Sequence, residues 1–290
     1  MKISKKPFGT TKEGEKASTY TITNDHGMTV VVTDYGANII SIIVPDKQGN
    51  KADIALGYDK LADYEKNAPG FGSFIGRHAN RIAHAKATIK DKVFELEKND
   101  GENNLHSGNK SFNKFMYETE IFEDDDEISI EFSRLSPDME QGFPGNLDYS
   151  VTYTVTNENE LVLEYYGVSN KDTIVNFTNH SYFNLAGHNT GCMEQQEVWI
   201  DSDKITAVDK GLIPTGEYID VTNTPMDFRK RKKIGADINA DYELLKIAGG
   251  YDHNYVLNCT GDDIEKVAEL YDPKSGRLME IFTDLPGMQI

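Results

Sequence analysis

Hydrophobic and polar positions alternate in short runs along most of the chain. Residues 19–23, 28–34, 39–44, 128–132, 149–156 and 161–166 are rich in Val, Ile, Thr and Tyr and are bounded by turn residues, the pattern of strands. A period of two gives each strand one apolar and one polar face. Residues 151–155 and 161–165 are joined by Thr156-Asn157-Glu158-Asn159-Glu160, which predicts a hairpin with a short polar loop. Helical periodicity is weak and is confined to 60–66 and to 234–247, where Ile234, Ile238, Leu244, Leu245 and Ile247 form a broken apolar stripe. No strand–helix–strand alternation, internal repeat or low-complexity tract occurs. Short strands at this spacing predict an all-β fold, a large antiparallel β-sandwich with few short helices.

Composition narrows the partners. A chain of 290 residues can bury a substantial core, and one domain over residues 1–290 is the expectation. Thirty Lys and Arg against 48 Asp and Glu give a net charge of −18. Such a field repels phosphate backbones and anionic lipid, so neither a nucleic acid nor a membrane partner is expected, whereas a neutral ligand is compatible. Cys192 and Cys259 are too few for a disulfide framework and lack metal-ligand spacing, which fits a reducing cytoplasm. The basic start has no apolar segment after it, so it is not a secretory signal, and no apolar run approaches a membrane span. The acidic run at 123–127 lacks the glycine and spaced oxygens of a calcium loop and reads as a solvated turn.

Chemistry concentrates elsewhere. Asn176-Phe177-Thr178-Asn179-His180-Ser181-Tyr182-Phe183-Asn184-Leu185 sets one imidazole among amides, hydroxyls and rings, with polar groups at both parities. A core strand would bury one of those faces, so the run suits a site; the competing reading is a structural histidine near a turn. Four further polar groupings lie beside glycines or turns: residues 76–82, 103–108, 249–254 and 286–289. Taken singly, the Asn80-Arg81 pair can be a strand end, and Asp252-His253-Asn254 a turn held by its own side chains. Together they supply two imidazoles, a guanidinium, a carboxylate and several amides, an inventory suited to a ligand with many hydroxyls. His78 and His84 have five residues between them, with no H-x-x-x-H or C-x-x-C pair, so no metal site is expected. The Gly70-Phe71-Gly72-Ser73-Phe74 stretch only approaches a nucleophile elbow, and no phosphate loop is present. No cofactor is expected.

The chain resembles the aldose 1-epimerases, also called galactose mutarotases, from about residue 15 onward. The matching blocks are Gly76-Arg77 with Ala79-Asn80-Arg81-Ile82, Asn104-Leu105-His106-Ser107-Gly108, Ser136-Pro137-Asp138 with residues 142–147, residues 178–185, 212–216, Asp227-Phe228-Arg229, Tyr251-Asp252-His253-Asn254 and Pro286-Gly287-Met288-Gln289. The resemblance implies a galactose mutarotase-like supersandwich with a sugar cleft, acting on free hexoses such as galactose and glucose by interconverting their α and β anomers. It implies that His180 protonates the ring oxygen, that His106 is the second imidazole near that oxygen, and that Asn80, Arg81, Asp252 and Gln289 hold hydroxyls, Asp252 accepting from two of them. The partner is a small-molecule monosaccharide; the oligomeric state is not readable. The family's general base is a glutamate on a strand well after the Pro286–Gln289 block. Residues 277–283 read as a strand, 284–287 as a turn and 288–290 as the start of another strand, so the expectation is a chain lacking its C-terminal strands. Two alternatives stand: a sugar-binding module or sensor without turnover, and a hexose 6-phosphate epimerase. The latter would depend on Arg229-Lys230-Arg231-Lys232-Lys233, which reads as a solvated turn.

Overall fold

The computed structural model describes residues 1–290. Twenty-three strands dominate, with two short α-helices, Leu61–Tyr64 and Glu243–Ala248. The chain divides into two compact units, one of Met1–Pro45 with Asp53–Phe183, the other of Asp46–Ala52 with Asn184–Ile290. No helix is long and apolar enough to cross a membrane.

The first unit contains two antiparallel sheets whose neighbours follow chain order. One includes Lys2–Thr10, Lys16–Thr23, Thr29–Thr33 and Ile39–Pro45; the other consists of Glu118–Glu123, Glu127–Ser136, Leu147–Thr156 and Leu161–Ser169. Alternate positions form the core. Tyr20, Ile22, Val30 and Val32 from the first sheet and Ile128, Ile130, Phe132, Val151, Tyr153 and Val155 from the second are at most 2% exposed. The Tyr20 ring meets Phe132 edge-on at 6.0 Å, and the Tyr153 hydroxyl donates to the Ala37 carbonyl at 2.8 Å. Each such side chain contributes about 1.5–3 kcal/mol on burial. A slip of one residue would turn the whole set to water, and register is thereby fixed.

The hairpin forms where the alternation places it, with Val155 opposite Leu161 and the loop held by Thr156 Oγ1 accepting from the amides of Glu158 and Glu160. The acidic run at 123–127 is an exposed turn between two strands. Leu161–Ser169 is the last strand of its sheet and exposes Tyr166 and Val168. The helix expected at 60–66 shrinks to Leu61–Tyr64. Lys114 Nζ takes over its C-terminal end by donating to the carbonyls of Tyr64, Glu65 and Lys66 at 2.8–3.2 Å, groups that a helix end otherwise leaves without partners.

The second unit carries one sheet in the order Lys232–Lys233, Glu197–Ile200, Glu265–Tyr271, Leu278–Thr283, and another in the order Pro214–Asp220, Lys204–Val208, Asn254–Val256, Gly287–Gln289. Leu185, Ile200, Ile205, Val221, Met226, Phe228, Tyr255 and Val267 are its most buried apolar residues. Leu278–Thr283 is an outermost strand with Leu278 and Phe282 exposed. The helix read over 234–247 is not there: a 3-10 turn at Ile234–Ala236 is followed by turns, and the α-helix begins only at Glu243. Asp237, Asn239 and Asp241 interrupt the apolar stripe, and short polar side chains compete with helix bonds. Asp237 pairs with Lys232 at 2.7 Å and its carbonyl accepts a turn bond from Ala240. The basic run at 229–233 also departs from a simple solvated turn, since Lys232–Lys233 joins a sheet. Arg229 pairs with Asp227 and Asp203, and Arg231 with Glu269.

Candidate active site

In the first unit, Thr178–His180 pairs antiparallel with Ser73–Ile75, placing His180 opposite Ser73. All three residues are half-buried, as expected of a strand with polar groups on both faces. The strand is oriented by its neighbour Phe177, whose ring meets Phe74 at 5.4 Å beside the stacked Phe112–Tyr149 pair. Gly70 lies under the imidazole. A Cβ there would sit 3.3 Å from His180 Nδ1, and φ is +74°, so both contact and conformation favour glycine.

His106 is placed by the pairing of Arg81–Ile82 with Asn104–Leu105. The pairing continues one step further: His106 N donates to the Asn80 carbonyl at 3.0 Å, and Asn80 N donates to His106 Nδ1 at 2.9 Å. Asn80 and His106 both have left-handed φ, 65° and 51°, a conformation that Asn tolerates and that is uncommon for other residues. Because Nδ1 accepts, the ring proton resides on Nε2. Burial lowers the His106 pKa to about 4, aided by His180, Arg81 and His78, so at neutral pH this ring is an uncharged donor through Nε2. The His106 and His180 rings stand perpendicular with centroids 5.1 Å apart. Tyr182 lies 5.2 Å from His180 and leans edge-on against Phe71.

Arg81 Nε donates to Asp100 Oδ2 at 2.7 Å, and its Nη1 reaches Asn80 Oδ1 at 3.5 Å. Asp100 sits in a turn clamped to the His106 strand: Asn99 Oδ1 accepts from Leu105 N at 2.8 Å while Asn99 Nδ2 donates to Leu105 O at 2.9 Å. On the other side of His106, the Glu97 carboxylate accepts from the Asn109 amide at 2.7 Å. Arg77, in the same motif as Asn80, has a different role. It is wholly buried and donates to Ser136 Oγ and to the carbonyls of Ser136, Pro137, Phe143 and Pro144, holding that loop from inside.

In the second unit, Asn254–Val256 pairs with Gly287–Gln289, and His253 and Ile290 exchange backbone bonds beyond the strand ends. This brings Gln289 Nε2 to 2.5 Å from Asp252 Oδ1. Asp252 N donates to His253 Nδ1 at 3.2 Å. The first unit thus gathers Asn80, Arg81, His106 and His180, and the second gathers Asp252 and Gln289. Asp100 and Glu97 were not foreseen; nothing in the polar stretch 97–103 marks them apart from its turn-forming residues. No group of three or more His, Cys, Asp or Glu side chains is arranged as a metal site.

Antiparallel strands displaying paired imidazoles, a guanidinium and amides make an all-β protein whose polar groups suit a ligand with many hydroxyls. The sequence profile of the Aldose 1-epimerase family matches residues 18–290, and the chain belongs to that family. It is similar to galactose mutarotase of Bos taurus, with 38% identity over 260 residues covering 90% of this chain and 73% of that protein. Against aldose 1-epimerase of Escherichia coli K12, identity is 32% over 277 residues, 96% of this chain and 79% of the other. The crystal structure of galactose 1-epimerase from Lactobacillus acidophilus superposes with a TM-score of 0.83 at 28% identity, covering 93% of this chain and 77% of that one. The galactose mutarotase-like sandwich expected from the sequence is therefore the fold.

Proposed function

We propose that this protein interconverts the α and β anomers of free hexoses, galactose and glucose, by general acid–base catalysis. The observation that carries the reading is the perpendicular His106–His180 pair, in a chain that belongs to the aldose 1-epimerases. Opening the hemiacetal requires a proton on the ring oxygen while the C1 hydroxyl loses one to a base. His180 supplies the first proton; neutral His106 donates a hydrogen bond from Nε2 toward the same oxygen. The open aldehyde turns about C1–C2, the ring oxygen attacks the other face of C1 as His180 recovers its proton, and the base returns to the C1 oxygen the proton it removed, a role the family resemblance gives to a glutamate on a strand after the Pro286–Gln289 block. Arg81 and Asn80 hold sugar hydroxyls beside the two imidazoles, and the family resemblance gives Asp252 and Gln289 the same role. The proposed location is the cytoplasm, supported by two unpaired cysteines.

The test is polarimetry of freshly dissolved α-galactose, reading the excess over spontaneous mutarotation. His180→Asn is expected to lower kcat by ~10²-fold or more, the usual contribution of a general acid, with an unchanged melting temperature. Retained activity with a sharply lower melting temperature would make His180 a structural residue.

A further inference from the structure

We propose that Asp100 is a specificity-determining residue, which pairs with Arg81 so that the site favours uncharged hexoses over anionic sugars such as hexose 6-phosphates and hexuronates. This rests on the reading that Arg81 touches the sugar. An unpaired guanidinium is a forked receptor for phosphate and carboxylate, able to meet two of their oxygens at once. Here the fork is already divided. Nε is committed to the Asp100 carboxylate at 2.7 Å, and Nη1 points toward Asn80 Oδ1 at 3.5 Å. The edge shared by Nε and Nη2 therefore cannot take an incoming anion side-on, whereas the remaining N–H protons suit single hydroxyls. The pair is also shielded, the Arg81 and Asp100 side chains being 14% and 36% exposed, so water and salt screen it less than an open surface pair.

The backbone that carries the Asp100 carboxylate is tied in place beside Arg81. Asp100 exchanges backbone bonds with Asn103, Gly101 turns the chain at φ 60°, and Asn99 binds both backbone groups of Leu105, the residue opposite Arg81 in the two-strand ladder. One rigid turn thus sets Asp100 against the guanidinium and also fixes the approach to His106. Among the charges acting on His106, Arg81 is the permanent cation and Asp100 the carboxylate offsetting it. Removing the carboxylate leaves an uncompensated positive charge beside the imidazole, in a chain whose net charge of −18 otherwise disfavours anions.

The experiment is calorimetric titration of the full chain with galactose, galactose 6-phosphate and galacturonate at low and at physiological salt. Wild type is compared with two neutral replacements, Asp100→Asn and Asp100→Ser, and with the charge-preserving Asp100→Glu. Wild type is expected to bind galactose in preference to both anions. Either neutral replacement is expected to raise the anion-to-galactose affinity ratio about tenfold, the scale of one released charge-assisted contact, with the gain shrinking as salt rises. Asp100→Glu is expected to keep the wild-type ratio. An unchanged ratio in a folded neutral variant overturns the proposal, as does a wild type that prefers the phosphate or binds none of the three. Parallel polarimetry separates this from the activity itself. A wild type that binds galactose without accelerating its mutarotation removes the anomerase reading, while the affinity ratios still decide the role of Asp100.

Discussion

His106 shows how backbone geometry selects a protonation state. Its Nδ1 accepts from the Asn80 amide, so protonating the ring breaks that bond and places a charge in a largely buried position. The folded pKa of about 4 lies below the ordinary value of 6.5. Between these two values the unfolded chain binds more protons than the folded one, so stability is full above pH 6.5, falls as pH drops toward 4 and levels off below it. Burial lowers His78 and His253 as well, and they act in the same direction. Urea titrations at pH 7 and pH 4.5 are expected to show that His106→Gln removes on the order of 2 kcal/mol of this loss; an identical slope in the variant would show that other groups carry it. The sequence revealed His180 because its polar flanks contradict a buried strand, and the motif gave Asn80 and Arg81. Asp100 was invisible: its importance comes from reaching back to Arg81 across a turn, and no local pattern encodes that reach.

Among the elements, the loop at 136–145 depends most on a single side chain. Arg77 satisfies four of its carbonyls from inside the unit. Arg77→Met leaves those acceptors buried without donors and is expected to cost about 3–5 kcal/mol, read as a lower urea midpoint at constant slope. A variant within 1 kcal/mol of wild type would mean that water replaces the guanidinium. Strands were the most legible elements. Alternation sets both their existence and their register, so residues 149–156 and 161–166 pair as read, each strand extending by two or three residues at one end. The helix read at 234–247 failed because five aliphatic residues at roughly helical spacing outweighed three interspersed Asp and Asn residues, whereas in the structure Asp237 pairs with Lys232 and Asp241 with Lys246.

At the scale of the whole molecule, charge and exposed edges act together. Galactose binding is expected to vary less than threefold between low and physiological salt, since little counterion release accompanies a neutral ligand; tighter, strongly salt-sensitive binding of hexose 6-phosphate would point to the phosphosugar alternative. Prolonged dialysis against chelator is expected to leave the mutarotation rate unchanged, and activity restored by one divalent ion would reverse the reading of a metal-free reaction. The single domain read over residues 1–290 stands as a proposal, and it implies one calorimetric transition with matching van't Hoff and calorimetric enthalpies; two resolved transitions would count against it. The outer strands Leu161–Ser169 and Leu278–Thr283 each end a sheet and present apolar side chains, Tyr166, Val168, Leu278 and Phe282, at 48–58% exposure. Their unpaired backbone groups are places where a strand from another copy can add. The net charge of −18 makes copies repel one another at neutral pH, and it vanishes near the sequence isoelectric point of 4.8. Storage conditions then become a structural variable: acidification toward that pH, or salt high enough to shorten the reach of the repulsion, removes the barrier to strand addition, and light scattering should rise there before any change in circular dichroism.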